Sequence, residues 1–148
     1  IAPYELLGDI ARVYARQAER KDITISVDAD PGLQKVKVDP NRMTQVLGNL
    51  MSNALRYTPE GGEIILGGSS GNGFVNLFVR DNGSGIPEED LPFIFHRFYR
   101  SDKARQQSGE TGLGLAIAKS LVELQGGSIS AESEVGGDTM IVMRLPVG

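Results

Sequence analysis

Two asparagines four residues apart, an aspartate ending an alternating strand, and glycines opening a helix are the residues of this chain that could do chemistry. Asn49 and Asn53 share one face of a helical segment, and Arg56 and Tyr57 continue that face one turn on. Carboxamide oxygens are hard ligands that suit magnesium, and a guanidinium suits phosphate. A helix that merely has a polar flank would carry the same residues.

Asp81-Asn82-Gly83-Ser84-Gly85-Ile86 follows a strand in which Val75, Leu77 and Val79 share one face. By the two-residue period Asp81 falls on that same side. An acid pointing at a core is costly without a partner, and the amino group of a bound base would be one. Gly83 and Gly85 let the backbone turn tightly and come close to a ligand. A plain Asp-Asn-Gly turn is the simpler alternative. Further on, Gly112-Leu113-Gly114-Leu115 precedes a helix. It is neither a dinucleotide fingerprint nor a P-loop, whose G-x-x-x-x-G-K is absent. Bare glycines at a helix N-terminus nevertheless expose N–H groups where an anion is favoured. A flexible loop ending in a helix cap is the alternative.

These residues need elements to position them. Residues 4–20 predict an amphipathic helix with Leu6, Leu7, Ile10, Val13, Tyr14 and Ala18 facing inward. A strand through Ile23, Ile25 and Val27 follows, then a short one over 35–38. Asp39-Pro40 starts a second helix, running to about Tyr57, with Met43, Val46, Leu47, Leu50, Met51 and Ala54 as its stripe. Strands over 63–67 and 74–80 form a hairpin through a turn at 69–73. Residues 81–111 are irregular, which in a compact domain points to function. A helix over 112–125 with Leu113, Ala116, Ile117, Leu121 and Leu124 inward precedes strands 128–134 and 139–145. The expected fold is one α+β domain over residues 1–148, a two-layer sandwich of a mixed, mostly antiparallel sheet under three helices.

Composition narrows the chemistry. With 15 Lys and Arg against 19 Asp and Glu the net charge is −4, which disfavours nucleic acid as a partner. There is no cysteine and one histidine, so zinc–thiolate and multi-histidine metal sites are excluded within one chain. No apolar run approaches the ~20 residues of a membrane span. The chain begins at Ile1 rather than methionine, so a longer parent is expected.

Taken in order, the segments resemble the catalytic, ATP-binding domain of sensor histidine kinases. These belong to the Bergerat-fold ATPases that include gyrase, MutL and the large heat-shock chaperone. Residues 45–58 resemble the N box, 81–86 the G1 box, 95–100 the F box and 112–115 the G2 box, and 136–139 a final glycine motif. The resemblance implies Mg-ATP as ligand, with Asn53 on Mg²⁺ and Asn49 nearby. It makes Asn49, Asn53 and Arg56 the groups at the reacting phosphate, with Arg56 and Tyr57 facing phosphates and sugar. Asp81 would accept from the adenine amino group, Gly85 and Thr139 would help hold the base, in part through water, and Gly83 and Ile86 would also bind the nucleotide. Gly112 and Gly114 would line the phosphates at a mobile lid over 101–111, and Leu113 and Leu115 would also bind the nucleotide. The activity implied is transfer of the γ-phosphate to a histidine on an upstream dimerisation domain, then relay to a response regulator. A homodimer through that domain, a monomer in its absence, and a cytoplasmic position in a parent anchored in the inner membrane are likewise implied.

Departures from the family pattern are Arg56 for lysine, Glu110 for a lid glycine and Asp138 for a glycine. No H-E-x-x-P or H-D-x-x-P segment occurs, so His96, inside the F box, is expected to be structural or on the surface. The competing readings are a degenerate nucleotide-binding module, a gyrase-type ATPase and a serine kinase of the anti-sigma type. Gyrase-type relatives carry a general-base glutamate where Asn49 stands.

Overall fold

In the computed structural model the described residues are 1–83, 85–86, 88–96, 114–133 and 137–147. They form three α-helices and five strands. These are α1 (Pro3–Arg20), β1 (Thr24–Asp28), α2 (Pro40–Tyr57), β2 (Glu63–Ser70), β3 (Phe74–Asp81), α3 (Gly114–Leu124), β4 (Ser128–Ser133) and β5 (Thr139–Pro146). A 3-10 turn over Leu91–Phe93 lies between β3 and α3.

The strands make one sheet in the order β1-β2-β3-β5-β4. β1 runs parallel to β2, and the other neighbours are antiparallel. The expected mixed, mostly antiparallel sheet with three helices is thus the architecture. Alternation sets the core. Ile64 and Leu66 on β2, Val75, Leu77 and Val79 on β3, and Ile141, Met143 and Leu145 on β5 are buried on one face.

α2 is the central helix, and its ends are chemically fixed. The Asp39 carboxylate accepts from the Asn41 and Arg42 amides at 2.8 and 3.3 Å, a cap worth ~1 kcal/mol. Pro40 then occupies the first turn, where no amide is missed. At the other end the Lys21 ammonium donates to the carbonyls of Leu55 (2.6 Å) and Thr58 (2.9 Å), placing a cation on the helix C-terminus. Met43, Val46, Leu47, Leu50, Met51 and Ala54 are all buried as expected. Each of the larger side chains contributes roughly 1.5–3 kcal/mol. Gln125 ties α3 to the start of α2: its Oε1 accepts from the Asp39 amide at 2.6 Å while its Nε2 donates to Leu121 O at 2.9 Å.

Four expectations are corrected. The strand expected over 35–38 is a single bridge between Val36 and Val147. β2 extends to Ser70, which shortens the hairpin turn. Val13 is 71% exposed, because it lies about 100° round the helix from Tyr14 and off the stripe of Leu7, Ile10 and Ala18. On α3 the buried residues are Ala118 and Val122, while Ile117 and Leu124 face outward. With apolar residues on nearly every side of this short helix, periodicity could not select its inner face.

Candidate functional site: a buried acid at the sheet end and a helix joint

The rows of buried side chains on β3 and β5 both end in a polar residue. Asp81 and Thr139 are register partners across the β3–β5 ladder and are 6% and 5% exposed. The Asp81 Oδ1 accepts from the Gly83 amide at 2.9 Å. Burial raises the Asp81 carboxyl from 3.8 to about 6, the Gly83 hydrogen bond opposes the rise, and the negative charge of Asp138 adds to it. Asp138 itself is paired with Arg80, whose Nε lies 2.9 Å from it.

The loop after Asp81 is pressed against the end of α2. A Cβ on Gly83 would stand 2.6 Å from the Tyr57 carbonyl oxygen and 2.8 Å from Asp81 Oδ1, so a bare backbone is required there. Gly85 has φ +77°, in the left-handed region. The loop then returns across the sheet end, where the Ile86 amide donates to Ser133 Oγ at 2.7 Å. Ser133 Oγ lies 2.9 Å from Thr139 Oγ1. Asn82 serves the fold, because its Oδ1 accepts from the Glu63 amide at 2.8 Å and extends the β2–β3 pairing.

A second cluster lies at the other end of the polar face of α2. The Asn49 Nδ2 donates to the carbonyl of Gly114, the first residue of α3, at 3.1 Å. The Asn49 Oδ1 is an acceptor with two lone pairs. Asn53, Arg56 and Tyr57 are half-buried between the two clusters. Eight residues of helix separate Asn49 from Tyr57, a rise of roughly 12 Å, comparable to the span from a nucleobase to its terminal phosphates. Leu115 is half-buried against the core. Gly112, Leu113 and the expected lid at 101–111 lie outside the described residues.

Among the described residues no group of three or more His, Cys, Asp or Glu could hold a metal ion. A magnesium ion on this face would therefore take carboxamide oxygen from Asn53 or Asn49 and complete its shell with ligand oxygens and water, as that ion commonly does. The donor set fits. His96 is exposed, its ring edge-on to Phe93 at 5.5 Å, in keeping with a surface role.

The structure thus brings together Asp81, Gly83, Ile86 and Thr139, and separately Asn49 and Gly114. Two residues were missed by the sequence reading. Ser133 ends β4 on the same face as Thr139, and only strand alternation hinted at it. Thr58 is fully buried, and its hydroxyl has no hydrogen-bond partner among the described residues. Nothing in its sequence context signalled that.

Comparisons with known proteins show the family and the fold. Residues 38–148 match the family described as histidine kinase-, DNA gyrase B- and HSP90-like ATPase. The chain is similar to sensor histidine kinase WalK of Bacillus subtilis (strain 168), with 46% identity over 114 residues, 75% of this chain and 19% of WalK. Among solved structures it resembles the catalytic domain of histidine kinase ThkA, with TM-score 0.87, 27% identity, and 99% of this chain and 93% of that one covered. It also resembles full-length ShkA in complex with AMPPNP, with TM-score 0.88, 28% identity, and 100% and 30% covered. A complex of ThkA with response regulator protein TrrA matches at TM-score 0.80 and 27% identity, with 97% and 40% covered. The chain spans about a fifth to a quarter of the length of the curated relatives it matches.

Proposed function

The chain belongs to the histidine kinase-, DNA gyrase B- and HSP90-like ATPase family, and from that premise we propose that it binds Mg-ATP and passes the γ-phosphate to a histidine of a two-component sensor kinase. The observation that carries this reading is the buried Asp81 acceptor beside Thr139, joined by the polar face of α2 to the Asn49–Gly114 contact at the start of α3.

Asp81 accepts from the exocyclic amino group of adenine, a donor that guanine replaces with a carbonyl. Gly83, Gly85 and Ile86 bring backbone to the base, and Thr139 offers a hydroxyl beside it. Arg56 and Tyr57 stand along α2 toward the sugar and phosphates, and Asn53, with Asn49 behind it, presents carboxamide oxygen to magnesium. Gly112, Leu113, Gly114 and Leu115 carry the phosphates to the start of α3, where N–H groups favour an anion. ShkA, a relative of like fold, is solved with AMPPNP, which supports a nucleoside triphosphate here.

Asn49 also argues for a kinase over a hydrolase. A carboxamide cannot take a proton from water, and general-base help is worth ~10²–10⁴-fold. ATP therefore persists until an imidazole attacks the γ-phosphorus and ADP leaves. The acceptor histidine is placed on the kinase's dimerisation domain, through which the protein pairs with a second copy, and a response regulator receives the phosphoryl group. The ThkA–TrrA complex supports that last partner. No helix of the described residues is long and apolar enough to cross a membrane. We place the chain on the cytoplasmic side of a parent anchored in the inner membrane.

Two measurements test this. Calorimetric titration should show ATP binding and much weaker GTP binding. Labelled ATP should label an added phosphoacceptor domain from the parent protein as an acid-labile adduct and leave the chain alone unlabelled. Strong labelling of the chain itself, lost in His96→Ala, would overturn the assignment.

A further inference from the structure

Three strands end side by side in polar residues. Asp81 on β3 pairs with Thr139 on β5, and Thr139 pairs on its other side with Ser133 on β4. Register partners in an antiparallel sheet point to the same face, so the three side chains form one row across the sheet end. The loop that leaves Asp81 arches over the start of β5 and is fastened at the far end of the row, by Ile86 N–H on Ser133 Oγ at 2.7 Å. The row and the loop close a ring, with Ser133 as the joint.

We propose that Ser133 is a positioning residue of the base end of the nucleotide site, fixing both the 81–86 loop and the direction of the Thr139 hydroxyl. A serine hydroxyl has one proton and two lone pairs. The Ile86 amide occupies one lone pair. Either hydroxyl could donate across the 2.9 Å between Ser133 Oγ and Thr139 Oγ1; in the proposed arrangement Ser133 donates and uses its proton within the row. The Thr139 proton is left to point away from Ser133, towards the Asp81 side. The sheet end accordingly offers an acceptor, Asp81, next to a donor, Thr139. That order complements an amino group next to a ring nitrogen acceptor, the edge of adenine, directly or through one water. It opposes the carbonyl and N–H of guanine, so Ser133 acts on base selectivity through its two neighbours.

This inference rests on the nucleotide reading above, and the test separates the two. ATP and GTP affinities are measured calorimetrically for the wild type, Ser133→Ala and Ser133→Thr, with thermal melting alongside. Exchange of the Ile86 amide is followed in the nucleotide-free proteins. Ser133→Ala should bind ATP about three- to tenfold more weakly, the loss expected for one or two neutral hydrogen bonds. Its ATP:GTP ratio should fall, and its Ile86 amide should exchange faster. Ser133→Thr keeps the hydroxyl and should recover affinity and ratio. A serine that only supported the fold would lower the melting temperature with the ratio unchanged, and that result overturns the proposal. So does wild-type affinity in Ser133→Ala. A wild type that binds no ATP overturns the underlying reading, and this inference with it.

Discussion

Asp81 and Thr139 face each other across the β3–β5 ladder and end two rows of buried apolar side chains, where the sheet would otherwise continue as core. A carboxylate in that position destabilises the empty fold unless something donates to it. The Gly83 amide supplies one donor. In the proposed function the rest of its hydrogen-bonding capacity serves a base.

Asp81→Asn should stabilise the empty chain while removing nucleotide binding. The folded carboxyl titrates at about 6 against 3.8 ordinarily. The folded state therefore holds its proton more tightly, and stability falls as pH rises from about 4 to about 6. Above that range both states are ionised and the full cost, on the order of 3 kcal/mol, is present. Asparagine keeps an acceptor for Gly83 without the charge. Urea denaturation should find the variant more stable at pH 7, by up to about 3 kcal/mol, with the difference vanishing near pH 4. Adenosine, which has no phosphate to titrate, should bind the wild type more weakly as pH falls below about 6. Equal stabilities at pH 7 would contradict the account.

Gly83→Ala should cost both stability and binding. The new Cβ meets the Tyr57 carbonyl at 2.6 Å, so the loop and the end of α2 must move apart. A loss of roughly 1–3 kcal/mol is expected, as for other overpacked sites, together with at least a tenfold loss of ATP affinity. Gly61→Ala is the control. Gly61 has φ +84° but nothing within 4 Å of its Cβ position. It should lose ~1–2 kcal/mol and bind ATP as before. Unchanged ATP binding in Gly83→Ala would show that the loop's closeness to α2 is unimportant to the ligand.

Asn53→Ala should weaken ATP binding mainly when magnesium is present. Its amide lies on the face of α2 that leads from Tyr57 to Asn49, and its chemistry suits a hard cation. Titrations with magnesium and with a chelator decide the matter. An equal loss in both would assign Asn53 to the fold or to the nucleotide itself.

Thr58→Val should be neutral or stabilising in the empty chain. The Thr58 hydroxyl is fully buried without a hydrogen-bond partner among the described residues. Replacing an unsatisfied hydroxyl by a methyl removes a desolvation cost of ~1–3 kcal/mol. Denaturation midpoints at constant slope measure it. A clear destabilisation would mean that the hydroxyl has a partner, a bound water among the candidates.

The sequence by itself determined whatever depends on neighbours in the chain. Asp39-Pro40 and a 3.6-residue stripe specify α2 from end to end, because capping and helical periodicity are local. The two-residue period likewise puts Asp81 on the buried side of β3. The N, G1, F and G2 boxes, over residues 45–58, 81–86, 95–100 and 112–115 in that order, are enough to suggest the family. Tertiary structure decided what depends on distant partners. β1 lies parallel to β2 through the crossover that contains α2, and Val36 finds its bridge at Val147. The inner face of α3 is set by α2 and the sheet packed against it, since its own apolar residues point nearly every way. The bond from Ile86 to Ser133 joins residues 47 apart. Hydroxyls and amides carry no periodic signal, and their partners exist only once the sheet has aligned its strand ends.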